Sequence, residues 1–406
     1  MGIDIHISYD ILLDMGNNLR HLDQRLIDHF DKYKEVMVLL GARQVGKTTI
    51  LKKIFPKAYY LSVDNDSIRR NLERYDISVY RQMLPQDRQI TIIDEIHLIK
   101  NPGRAAKIIY DQIPDVKLII TGSSSLKIKH RSGESLAGRK IDYYLYPLTF
   151  SEYLTQKGIE GKLNFNIADT IISDTINSYE ERAYAFDMPG IMENILLYGL
   201  YPALLNHPND RTYLENLIDS VIFKDLLDLN LIENRQAALN LLRLLAFQIG
   251  SLVNISELAG KLSLDAKTVR RYISIFEQSF IIFSLYPFAK SHRDEIGKMP
   301  KIYFYDVGLR NALIGNFHSL VSRTDTGVLF ENFIIAEVVK QNYYGNFGLT
   351  MHFWRTKQGS EIDLVLGKEG KLYGIEIKTG QNRQNSAFGR RYPQAKVRIV
   401  NLKNFY

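Results

Sequence analysis

The 406-residue chain contains no cysteine. That excludes disulfides, thiolate zinc sites and cysteine nucleophiles together, and makes the cytoplasm the natural compartment. Long apolar runs are missing too. Stretches such as Val36 to Leu40 and Leu244 to Phe247 fall far short of the ~20 residues that span a bilayer. Met1 to His6 has neither the basic start nor the apolar core of a secretion signal. The expectation is a soluble, cytoplasmic chain with no membrane partner. Excess charge is scarce: 52 Lys and Arg against 45 Asp and Glu leave +7, too mild by itself to demand a polyanionic partner. Repeats and low-complexity segments are absent.

What is present is ordinary globular material. With 45% hydrophobic and 24% charged residues, the chain is not disordered, collagenous or coiled-coil. At roughly 150 residues per domain the length suggests two or three domains. The first 150 residues alternate short apolar strands with helical stretches, and a mostly helical periodicity follows from about Phe150; residues 1–195 make the first domain. The strands expected are Val36 to Leu40, Ala58 to Val63, Gln89 to Ile93 and Val116 to Thr121. Uniformly apolar runs of this kind suit a parallel sheet covered on both faces. Residues 196–300 read as helical, and residues 301–406 as mixed strand and helix. The fold class expected is therefore α/β: a P-loop parallel-sheet domain, a helical middle and a second α/β domain.

Gly41-Ala42-Arg43-Gln44-Val45-Gly46-Lys47-Thr48 has the spacing of a phosphate-binding loop, after an apolar strand and before a helix-compatible run that begins at Thr49. The glycines let backbone N–H groups face phosphate oxygens, and the helix start favours an anion. Lys47 is expected on the β and γ phosphates of ATP, and Thr48 on Mg²⁺. Ile90 to Glu95 delivers two carboxylates to a strand's C-terminal end, where open parallel sheets bind ligands. Asp94 would hold Mg²⁺ and Glu95 would polarise the attacking water. In Thr121-Gly122-Ser123-Ser124-Ser125, Ser123 is the choice for orienting water or meeting the γ phosphate.

These segments, with Glu134 to Arg139, Tyr146 to Glu152, Tyr198 to Pro202 and Lys224-Asp225, resemble prokaryotic AAA-type ATPases that carry a C-terminal domain of unknown function. The resemblance spans nearly the whole chain. It implies an AAA+-like first domain with a helical lid, homo-oligomers with hexamers among the forms, and Arg139 as an arginine finger in cis or on a neighbour's nucleotide.

In the middle region, Asn254 or Ser256 can cap one helix and Asp265 the next. The second helix turns Val269, Ile273 and Phe276 to one face, with Lys267, Arg270 and Arg271 elsewhere. Helix, turn, helix with a basic leading edge suits a winged helix. Ser279 to Phe288 and Lys301 to Asp306 would be the strands of its wing. Lys290, Arg293, Lys298 and Lys301 would make that wing basic and able to touch phosphates. Winged helices also serve protein interaction, so both uses stay open.

The last region places Asp363 on one strand and Glu376 and Lys378 on one face of a second strand. A hairpin through Gly367 to Gly370 would join the two, and a preceding helix would add Glu331. Acid, then acid-x-lysine on paired strands, resembles the restriction-endonuclease-like (PD-(D/E)xK) core. In that resemblance Asp363, Glu376 and Glu331 hold Mg²⁺ and Lys378 orients water. Cross-strand ion pairing is the plainer alternative. Three functions follow: an ATP-driven protein acting on duplex or branched DNA in recombination, repair or mobile-element defence; an ATP-regulated Mg²⁺-dependent nuclease; and a signalling ATPase with protein partners.

Overall fold

The computed structural model describes residues 20–85, 89–113, 115–123, 136–159, 166–173, 187–218, 232–289, 299–380 and 386–405. The first domain is built on five parallel strands: β1 (Val36–Leu40), β2 (Tyr59–Ser62), β3 (Ile90–Asp94), β4 (Lys117–Gly122) and β5 (Lys140–Tyr144). Their order is β2-β3-β4-β1-β5. Strand β1 is buried along its whole length, as a central parallel strand must be. Strand β5 was not expected, because Lys140 and Asp142 interrupt its apolar pattern and pair with each other at 2.9 Å.

Helix α1 (Lys47–Ile54) starts where Gly46 takes a φ of 95°, a conformation that costs glycine nothing. Helix α2 (Pro102–Gln112) is capped by Asn101, with proline in its first turn. Helix α3 (Phe150–Gln156) opens with a reciprocal capping box between Thr149 and Glu152.

Farther along, α4 (Arg235–Phe247), α5 (Ile255–Leu262) and α6 (Ala266–Gln278) precede an antiparallel pair, β6 (Ile282–Leu285) and β7 (Lys301–Phe304). Asn254 caps α5 and Asp265 caps α6, as expected. The pairing of Leu285 with Lys301 means that a boundary at residue 300 cuts through this hairpin.

Helix α7 (Thr326–Tyr344) is buried on nearly every face, which marks it as a core element rather than a surface one. It packs against a four-stranded sheet of order β11-β10-β9-β8, made of β8 (Thr350–Arg355), β9 (Glu361–Lys368), β10 (Lys371–Ile377) and β11 (Lys396–Val400). Strands β9 and β10 form the expected hairpin, with positive φ at Glu369 and Gly370 in the turn. After α8 (Ser386–Arg391), β11 returns parallel to β10; its mixed polarity hid it in the sequence. No helix among the described residues is long and apolar enough to cross a membrane.

Candidate functional site

The P-loop follows β1 directly. Gln44 and Gly46 both have positive φ, curling the loop back so that Lys47 Nζ donates to the carbonyls of Gly41 and Ala42 at 2.9 and 3.0 Å. Thr48 Oγ1 donates to Asp94 Oδ2 at 2.7 Å. The hydroxyls of Tyr60 and Thr121 also donate to Asp94. One aspartate at the end of β3 thus gathers hydroxyls from α1, β2 and β4. Burial and the adjacent Asp94 push the Tyr60 phenol well up, so it stays protonated and remains a donor.

Glu95 has a φ of 56°, a left-handed conformation that costs a non-glycine residue on the order of 1–3 kcal/mol. Thr121 Oγ1 accepts its backbone N–H at 3.0 Å. His97 Nδ1 lies 3.0 Å from Glu95 Oε2, and His97 Nε2 lies 3.2 Å from Ser123 Oγ. Burial opposes the charge on Glu95, but His97, Lys47 and Arg43 outweigh it and lower the carboxyl to about 2. Ser123 is therefore engaged with His97, while Thr121, two residues earlier, holds both Asp94 and Glu95.

A cleft of about 600 Å³ opens over this group, lined among others by Gln44, Lys47, Thr48, Thr49, Glu95 and Arg20. Its far wall comes from Pro202, Ala203 and Asn206, and Tyr213 OH donates to Gln44 Oε1 at 3.3 Å. Residues after the first domain thus close the cleft. The size and donor set suit a nucleoside triphosphate. Thr48 and Asp94 suit Mg²⁺, which takes one or two protein oxygens and completes its shell with phosphates and water.

Arg20 had no local signal in the sequence. Its guanidinium donates to Val45 O at 3.0 Å and Tyr146 O at 2.7 Å, and pairs with buried Glu152 at 3.2 Å. It ties the P-loop to the segment leaving β5. Arg139 stands elsewhere. Its carbonyl accepts from Val36 N, at the start of β1 and so four residues, about 13 Å, from the P-loop end of that strand. Its guanidinium pairs with Asp111 at 2.8 Å. An in-cis finger does not fit this position.

On the basic helix, Lys267, Arg270 and Arg271 are exposed, and Arg271 pairs with Glu233 at 3.1 Å. Lys290 and Arg293, like Lys298, Glu134 and Lys224, lie outside the described residues. Lys301 departs from its expected place on a basic wing. It is 2% exposed, 3.4 Å from Glu331 and paired also with Glu361.

That lysine changes the C-terminal cluster. Asp363 lies on β9 beside Glu376 on β10, both buried. Asp363 Oδ2 accepts from Ile377 N at 2.7 Å and lies 3.5 Å from Lys378 Nζ. Glu331, on α7, is held by Tyr303 at 2.6 Å and by Lys301. The ammonium of Lys301 pairs with Glu331 and Glu361, while Asp363 has Lys378 as its cation. Among the described residues no three histidine, aspartate or glutamate side chains are placed to hold a metal ion. Asp363, Glu376 and Glu331 thus lie on β9, β10 and α7, and Lys301 reaches Glu331 from β7.

Three segments of the chain match known families. Residues 33–154 match the family described as AAA domain. Residues 190–320 and 326–399 match two domains of unknown function, DUF8612 and DUF4143. The first domain is a P-loop ATPase domain of the AAA type. An uncharacterised protein of Methanocaldococcus jannaschii is 26% identical over 88% of this chain and 79% of its own length. One of Haemophilus influenzae is 19% identical over 84% and 82%. Among solved structures, a Walker-type ATPase of Pyrococcus abyssi overlaps 72% of this chain and 94% of its own, at a TM-score of 0.45 and 15% identity.

Proposed function

We propose that this chain hydrolyses ATP and uses the turnover to change its grip on DNA, duplex or branched. The observation that carries the ATPase part is the meeting of Thr48 and Asp94 at 2.7 Å beside Lys47, with Glu95 lining the same cleft. Lys47 and the loop N–H groups bind the phosphates, and Glu95 orients water for attack on the γ phosphorus. Mg²⁺, held by Thr48 and Asp94, would screen the charge between the β and γ phosphates. Arg139, immediately before the edge strand β5, would serve only a neighbouring copy, in a ring such as a hexamer.

The DNA part rests on α5, α6 and the β6–β7 hairpin, read as a winged helix. Lys267 and Arg270 are exposed on α6, and Arg270 lines a cleft of about 540 Å³ with Asn254, Ser256, Tyr286 and Pro300. Hydroxyl, amide and guanidinium groups of that kind suit phosphate contacts.

The deciding experiment measures ATP turnover with and without duplex, single-stranded and junction DNA, following DNA size in the same tubes. Turnover that disappears in Lys47→Ala and responds to DNA is the expected result. Undiminished hydrolysis in that variant rejects the nucleotide site, and no retention of any DNA at low salt rejects the DNA partner. Metal-dependent shortening of the DNA would instead favour the Mg²⁺-dependent nuclease alternative, with Asp363 and Glu376 as its carboxylates.

A further inference from the structure

We propose that His97 is a positioning residue for Glu95, fixing the direction in which that carboxylate faces the nucleotide cleft. The inference rests on the reading of Glu95 as the group that orients water, and adds what sets its orientation.

His97 is fully buried, so it does not itself reach a bound nucleotide. Its two ring nitrogens each face a partner: Nδ1 makes an ion-pair contact with Glu95 Oε2 at 3.0 Å, and Nε2 lies 3.2 Å from Ser123 Oγ. An ionised carboxylate only accepts, so Nδ1 must carry the hydrogen. Nε2 then faces the Ser123 hydroxyl, and the hydrogen on Nδ1 is assigned from its carboxylate partner. Ser123 is itself 1% exposed and follows β4 directly. Thr121 in the same strand holds the Glu95 N–H at 3.0 Å.

Glu95 is thus gripped twice from the end of β4, at its main chain by Thr121 and at its side chain through His97. Strand β4 lies between β1, which carries the P-loop, and β3, which carries Asp94. The imidazole is a rigid spacer between a fixed strand end and a carboxylate that would otherwise rotate. A misplacement of about 1 Å in such a group can cost roughly 100-fold in rate.

The experiment compares steady-state ATP turnover and fluorescent-ATP binding in the wild type, His97→Ala, His97→Gln, Glu95→Gln and the double variant Glu95→Gln/His97→Ala. His97→Ala is expected to lower kcat about 10–100-fold, as removing an orienting partner does, with nucleotide affinity within about twofold. His97→Gln, which keeps an N–H donor, should recover much of the loss. In the Glu95→Gln background, His97→Ala should cause no further fall, because its effect passes through Glu95. If thermal unfolding shows His97→Ala to be misfolded, Ser123→Ala takes its place, with a smaller fall and the same non-additivity expected.

Wild-type kcat in His97→Ala beside an inactive Glu95→Gln overturns the inference. So does an additional loss when both changes are combined. Full activity of Glu95→Gln would instead overturn the role given to Glu95, so the two failures are distinguishable.

Discussion

The first glycine of the P-loop, Gly41, packs so tightly on the Leu145 carbonyl that a β-carbon added to Gly41 would overlap that oxygen. Leu145 N meanwhile donates to Leu40 O at 2.7 Å, so the obstacle is backbone and cannot swing away. In Gly41→Ala the loop must shift, and nucleotide affinity is expected to fall at least 10-fold. Titration with a fluorescent ATP analogue measures it; unchanged affinity would show that the loop does not need this contact.

Arg20 and Glu152 form a buried pair, their side chains 7% and 2% exposed. Removing one partner of such a pair typically costs about 3–5 kcal/mol, because the other is left charged and buried. Chemical denaturation of Arg20→Met should show a loss of that order. Burial works against the Glu152 charge, yet Arg20, His21 and the Thr149 N–H hold its carboxyl below the ordinary 4.5. Its contribution is therefore present above about pH 4.5 and fades as the pH falls.

Glu331 titrates in the opposite sense. Burial raises its carboxyl to about 7 against the pull of Lys301, with Asp363 and Glu361 adding to the rise. Between about pH 4.5 and 7 the folded chain keeps a proton that the unfolded chain has released. This group therefore makes stability decline as pH rises through that window, by up to about 3 kcal/mol. Unfolding free energies at pH 5 and pH 8 should differ less in this direction for Glu331→Gln than for the wild type.

Lys267→Glu and Arg270→Glu should each weaken binding of any duplex regardless of sequence. Each should also flatten the plot of log affinity against log salt by about one charge. Fluorescence anisotropy across salt concentrations reads both quantities. A slope identical to the wild type would remove α6 from the DNA-facing surface.

The nucleotide site was legible where its chemistry is local. The P-loop and Asp94-Glu95 each occupy one short stretch, and their spacing alone implies what they do. Their supports were not, because they arrive across the sheet: Tyr60 lies 34 positions from Asp94 and Thr121 lies 27. Arg20 is 126 positions from Tyr146. Thr121 was visible as the end of a strand, but Ser123 was preferred because sequence does not say which residue of the turn points inward. The C-terminal carboxylates were found by their alternation on β9 and β10. What alternation could not reveal was Lys301, which looked like one more cation on a basic wing. The hairpin carries it inward to Glu331.

The segment leaving β5 is stitched to α7 through its own backbone. Tyr144 N and Tyr146 N donate to the phenols of Tyr343 and Tyr344, Phe150 N to Glu337, and Lys340 donates to Leu148 O. A fragment that stops before residue 326 would strip these amides of their acceptors and bare the rings that cover them. Dissecting the protein into a catalytic piece and a tail therefore yields no faithful miniature of either, and biochemistry on it calls for the undivided chain.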